Sequence, residues 1–201
     1  MTDLQKTASQ GIPGYDFDAF EIAESPLSAE DLMHLEQTMG WTEADSDLLQ
    51  KHAALFRAHA ELMVDAWRAI IGSQAHLSKW FAGPSGKPDD DYKARVKRRF
   101  VQWVIDVATR PHDRRWLNYQ EEIGLRHTPE KKNQTDAAQT EPLVPLRYLL
   151  AFVPVVSDVR RFLEVDIADQ GERAAVERAW NKAVQLHVTL WSRPYTRNGL
   201  W

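Results

Sequence analysis

His127 closes a stripe of large side chains, Trp116, Tyr119 and Ile123, that recurs with the spacing of one helix face just before Pro129. A neutral imidazole on such a face can bind a metal through one ring nitrogen while the other donates to a nearby backbone carbonyl. His187 competes for that role, on a stripe with Val176, Trp180, Val184 and Trp191. His52, His59 and His76 sit in weaker patterns. Spacing alone leaves the choice open, because a core histidine satisfied by hydrogen bonds explains either stripe more simply. Trp67, Phe100 and Phe152 lie on apolar helical stripes of their own, and core packing accounts for each taken singly.

The 201 residues include no Cys, which excludes disulfides, thiolate metal sites, iron–sulfur clusters, cysteine nucleophiles and covalent CxxCH haem attachment. Any metal must be held by His, carboxylates or a cofactor. Lys and Arg number 25 against 29 Asp and Glu, and this slightly acidic balance argues against nucleic acid or an anionic membrane surface as partner. The basic run Arg95, Lys97, Arg98 and Arg99 reads as the solvated side of a helix, or as reaching acidic groups of a buried cofactor. Asp89, Asp90 and Asp91 read as a helix start, where acidic residues are favourable, in preference to a divalent cation site. No GxGxxG, Walker loop, HExxH or GxSxG is present.

The N-terminal residues are polar and acidic, with no signal-peptide pattern. The longest apolar run, Tyr148–Val156, is well short of the roughly 18 residues that span a bilayer. A cytoplasmic protein is the expectation.

The elements that must position these residues are helical. Ser28 with Asp31, and Thr42 with Asp45, form capping boxes that open a first helix to about Met39 and a second from Glu43 to about Ile71, with one bend. Val96, Phe100, Trp103, Val104 and Val107 place a helix from the Asp89–Asp91 run to Pro111, and the His127 stripe places the next from Asp113. Two more are expected over about Leu143–Val165 and Glu172–Trp191. The fold class is all-α, in a single domain over 1–201. Eight Trp imply broad internal surfaces to cover.

Six segments in register then carry a resemblance. They are Ile12–Tyr15, Asp65-Ala-Trp67, Val96–Phe100 with Trp103, Trp116–His127 with Lys131–Asp136, Leu146–Phe152, and Leu190–Tyr195. Together the chain resembles the protoglobins, single-domain haem proteins related to globin-coupled sensor domains.

The resemblance implies a globin-like helical sandwich with an extra N-terminal helix, residues 1–40 being the extension that covers the haem edge. It implies a non-covalent haem b with His127 as the iron ligand. Trp67 and Phe100 would line the distal side and Phe152 would add a further wall. Val96 stands where an ordinary globin presents its distal histidine. The family usually has Tyr directly after the distal Trp, and this chain has Arg68. A buried, unpaired guanidinium is costly, so Arg68 is expected to swing outward and leave an apolar pocket. The implied ligands are O₂, CO and NO, and the implied assembly is a homodimer through the last two long helices. Haem-based catalysis, such as NO dioxygenation, peroxidase-like turnover or carbene or nitrene transfer, is the alternative. So are gas sensing through a partner and a haem-free helical interaction domain.

Overall fold

The computed structural model describes residues 11–17, 19, 22–196 and 201. The first ten residues of the expected extension, where the segment read for a signal peptide begins, lie outside the described residues. Every regular element among the described residues is helical.

Local chemistry accounts for where the helices begin. The Ser28 side chain accepts from the Asp31 N–H while Asp31 takes the Ser28 N–H, opening α1 (Ala29–Met39), which Gly40 ends in the left-handed conformation at φ 64°. Thr42 donates its N–H to Asp45 at 2.9 Å to open α2 (Glu43–Lys51). α3 follows as Ala53–Gly72, and a short α4 (Ala75–Ser78) leads into a 3₁₀ turn. Asp89, Asp113 and Asp169 accept backbone N–H groups at the starts of α5 (Asp90–Thr109), α6 (Arg114–Leu125) and α9 (Gln170–Ser192). Between α6 and α9 lie α7 (Leu146–Ser157) and α8 (Arg160–Asp166).

Two expected helices are each divided. The bend in the second is a full break at His52, whose φ and ψ of −99° and 13° leave the helical region. The helix expected over Leu143–Val165 begins only after Pro145 and breaks at Asp158 and Val159. Pro154 lacks the N–H that would bond back to the Leu150 carbonyl, and β-branched Val155, Val156 and Val159 crowd the same turns. Fully buried Val159 holds the corner against the core.

α3 packs on α5, while α9 packs on α2, α6 and α7. The main core fills the space between them with Phe56, Met63, Val64, Val104, Trp180 and Val184, all buried. Phe56 and Trp180 stack at 4.8 Å. Burying such side chains stabilises the fold by about 1.5–3 kcal/mol each. A second cluster joins Trp116, Leu117, Leu186 and Leu190 to Phe17 and Leu32. The N-terminal strap is tied down by polar contacts as well. Tyr15 donates to buried Asp106 at 2.6 Å, Arg99 donates to the Pro13 carbonyl at 2.8 Å, and Arg126 pairs with Asp16 at 3.0 Å.

Candidate functional site

A cavity opens between α3, α5, α6, α7 and α9, with about 270 Å³ available to the centres of water-sized molecules. Its lining is largely apolar. Val96, Phe100 and Trp103 come from α5, Ile123 and His127 from α6 and the residues after it, Leu149, Phe152 and Val156 from α7, and Val188 and Trp191 from α9.

His127 lies two residues beyond α6 and is held from several directions. Its Nδ1 is 2.8 Å from the Ile123 carbonyl oxygen, which can only accept, so Nδ1 carries the proton and Nε2 keeps its lone pair. The ring stacks on Trp191, with centroids 5.9 Å apart at 23°. Its backbone carbonyl accepts from the Val144 N–H at 2.9 Å and the Tyr195 hydroxyl at 3.2 Å. Burial pushes the imidazole pKa down to about 4, which keeps the ring neutral at physiological pH. Although the ring retains some accessible surface, the surrounding shell is dense.

A glycine permits this placement. A Cβ on Gly124 would come within 3.1 Å of Pro194 and 3.2 Å of the Trp191 Cα. Only the absent side chain lets the end of α6 approach α9 so closely.

His187 takes a different position. It is 1% exposed, accepts the Trp103 indole N–H at Nδ1 over 2.7 Å, and is absent from the cavity lining. Trp67 also stands off the wall, packed behind it on Phe100 at 5.5 Å and Trp103 at 6.4 Å. Arg68 is turned outward only in part. It lines the cavity with its side chain 25% exposed, while its guanidinium donates to the Lys93 carbonyl at 3.3 Å and lies 3.8 Å from Asp65. The structure therefore brings His127, Val96, Phe100, Phe152 and Arg68 to one cavity and sets Trp67 one layer back.

The polar edge of the cavity holds residues whose position the sequence reading did not anticipate. Asp136, nearly buried, is shared by Arg95 at 3.0 Å and Arg99 at 2.5 Å. Arg126 is paired with Glu122 and Asp16, each at 3.0 Å. Lys132 differs: it is 4% exposed, and among the described residues its ammonium donates to two neutral oxygens, the Trp80 carbonyl at 3.0 Å and the Thr140 hydroxyl at 2.6 Å. Burial pushes its pKa down to about 8. Its place in a polar loop disguised it.

This arrangement suits a flat, apolar cofactor with acidic arms. Nε2 of His127, with its lone pair free of any described hydrogen bond, is the candidate metal ligand, and the Lys132 ammonium is a candidate counter-charge at the cavity edge. Among the described residues no group of three or more His, Asp or Glu could hold a bare metal ion.

A family model, Protoglobin, matches residues 28–201. The chain belongs to the protoglobin family. Protoglobins are haem-iron globins that bind diatomic gases, and the all-helical fold of this protoglobin agrees with that class. The globin domain of a Geobacter sulfurreducens globin-coupled sensor is similar in fold, with a TM-score of 0.65 at 15% identity. The match covers 82% of this chain and 97% of that one. No curated protein matches.

Proposed function

We propose that this protoglobin binds a non-covalent haem b through His127 Nε2 and reversibly takes up O₂, CO or NO. The observation that carries the reading is the orientation of His127: its Nδ1 proton is committed to Ile123, leaving Nε2 free of any described hydrogen bond. Bound there, the haem supplies an iron with an open position for a diatomic ligand.

The protein's own groups do the rest. Trp191 and the Ile123 carbonyl orient the imidazole. Phe100 and Val96, with Trp67 behind Phe100, form an apolar wall that excludes water. Phe152 completes the wall from α7. Lys132 pairs with one propionate, which relieves the cost of its buried charge. Arg68 is held by the Lys93 carbonyl, which supports a ligand pocket that its guanidinium does not reach. Haem-based group transfer remains the alternative use of such a site.

One globin-like domain over 1–201, with 1–40 as an extension across the haem edge, belongs to the same reading; the contacts of Tyr15, Pro13 and Asp16 support it. So does a homodimer through α7, α8 and α9, where Leu150 and Val165 are 49% and 72% exposed. A cytoplasmic location is part of it too, and among the described residues no helix is long and apolar enough to cross a membrane.

Titration of the purified chain with haemin tests the reading. A Soret band that reaches one haem per chain, and that His127→Ala removes, is the expected result. A chain that takes up no haemin would end the proposal.

A further inference from the structure

The indole and imidazole rings of this chain form a connected series from the cavity to the surface. Trp191, which stacks on His127, meets Trp103 at 5.7 Å between ring centroids. The His187 ring stands between Trp103 and Trp116, at 5.7 and 5.2 Å. His112 then lies flat between Trp116 and Trp41, at 4.0 and 5.1 Å with interplanar angles of 25° and 26°. Trp103 and Trp116 are buried, whereas Trp41 is half-buried at the far end.

Filling a core requires volume, and aliphatic side chains supply it equally well. What this series adds is indoles, which are readily oxidised by one electron, set in contact directly as Trp191 and Trp103 are, or across a single imidazole. Polar partners suit that use as well. Trp103 donates its N–H to His187 Nδ1 at 2.7 Å, and Trp191 donates to Gln120 Oε1 at 2.9 Å. An indole that loses an electron becomes positively charged, and an acceptor already hydrogen-bonded to its N–H steadies that charge. At the outer end His112 is bonded to Glu36 at 2.6 Å.

We propose that Trp191, Trp103, Trp116 and Trp41, bridged by His187 and His112, form a one-electron relay between the haem cavity and the protein surface. The proposal rests on the haem reading above and adds a redox route to it. The oxidant is a peroxide, ROOH, which takes two electrons and two solvent protons to become ROH and water. Trp191 gives an electron toward the cavity and is refilled by Trp103. The electron vacancy passes on to Trp116 and then Trp41. There a one-electron reductant such as ferrocyanide fills it, and two passages balance each peroxide. The relay thereby draws oxidising equivalents away from the cavity and admits electrons to it.

The test uses the full chain loaded with haemin, mixed with hydrogen peroxide, frozen, and read by electron paramagnetic resonance. Tryptophan deuterated on the indole ring identifies the radical. The expected result is a tryptophan signal, normalised to bound haem, that Trp191→Phe largely loses. Trp116→Phe and Trp41→Phe, both away from the cavity wall, keep a radical but slow its quenching by ferrocyanide. A signal that is absent, that is confined to tyrosine, or that persists undiminished in Trp191→Phe would overturn the relay. Unchanged ferrocyanide quenching in folded Trp41→Phe would overturn its surface end, and with it the route outward. Should haemin give no Soret band, the haem reading and the relay fall together; a Soret band without a tryptophan radical removes the relay alone.

Discussion

Trp103 donates its indole N–H to Nδ1 of His187 across 2.7 Å of the buried core. That one bond separates two histidines whose stripes look alike. With Nδ1 accepting, neutral His187 carries its proton on Nε2, which has no partner among the described residues. The ring stands edge-on to Trp116 and Trp191 at 64° and 63°, a geometry in which the N–H can rest against an aromatic face. His127, bonded in the opposite sense, keeps its lone pair on Nε2.

His127→Ala is accordingly expected to abolish the Soret band, and His187→Ala to retain it. The His187 variant should instead lose stability, by about 1–3 kcal/mol for the orphaned Trp103 donor and more for the cavity left behind. Haemin titration and urea denaturation of both variants check this. Haem binding lost in His187→Ala but kept in His127→Ala would reverse the assignment.

Lys132 should make the haem-free protein pH-sensitive in one direction. Burial lowers its folded pKa to about 8, below the ordinary value of 10.5, so between those values the unfolded chain binds more protons. Stability of the haem-free chain should therefore rise with pH across that window relative to Lys132→Met, which removes the effect. A propionate beside the ammonium reverses the preference, so haemin affinity should fall as pH climbs above about 8. Lys132→Met is expected to weaken haemin retention roughly tenfold or more, corresponding to about 1.5–3 kcal/mol for a charged hydrogen bond. Thermal melts over pH and haem transfer to an acceptor globin measure the two effects.

Gly124→Ala should loosen the contact that seats His127. The added methyl meets Pro194 and the Trp191 backbone at 3.1–3.2 Å, and neither is a flexible side-chain end. The expected cost is about 1–3 kcal/mol, as for other overpacked sites, with a weakened Soret band. Full stability and full haem affinity in this variant would show that α6 and α9 can part without consequence.

The guanidinium of Arg68 is engaged by the Lys93 carbonyl at 3.3 Å, with Asp65 at 3.8 Å. Arg68→Leu should then leave the C–O stretching frequency of the carbonmonoxy form unchanged, and infrared spectroscopy measures this directly. A shifted band would mean that the arginine reaches the bound ligand.

Several features were legible without coordinates because they depend on neighbours in the chain. Capping by Ser28, Asp89 and Asp113 needs a partner only three residues on, so these helix starts follow from local composition. The break at His52 and the corner at Val159 were harder to place. Each depends on which side chains the rest of the core accepts, as buried Val159 illustrates.

The amino-acid sequence by itself determined an all-helical chain, an inward-facing stripe ending at His127, and the six segments that resemble protoglobins. The tertiary structure alone decided that His127 presents a free nitrogen to the cavity while His187 spends its own on Trp103. It likewise moved Trp67 behind Phe100 and brought Lys132 from a polar loop to a buried edge, where it donates to the Trp80 carbonyl and the Thr140 hydroxyl. The reason is physical. Helical periodicity says which face a residue occupies, but a hydrogen bond between residues 84 positions apart, as between Trp103 and His187, exists only once two helices have packed.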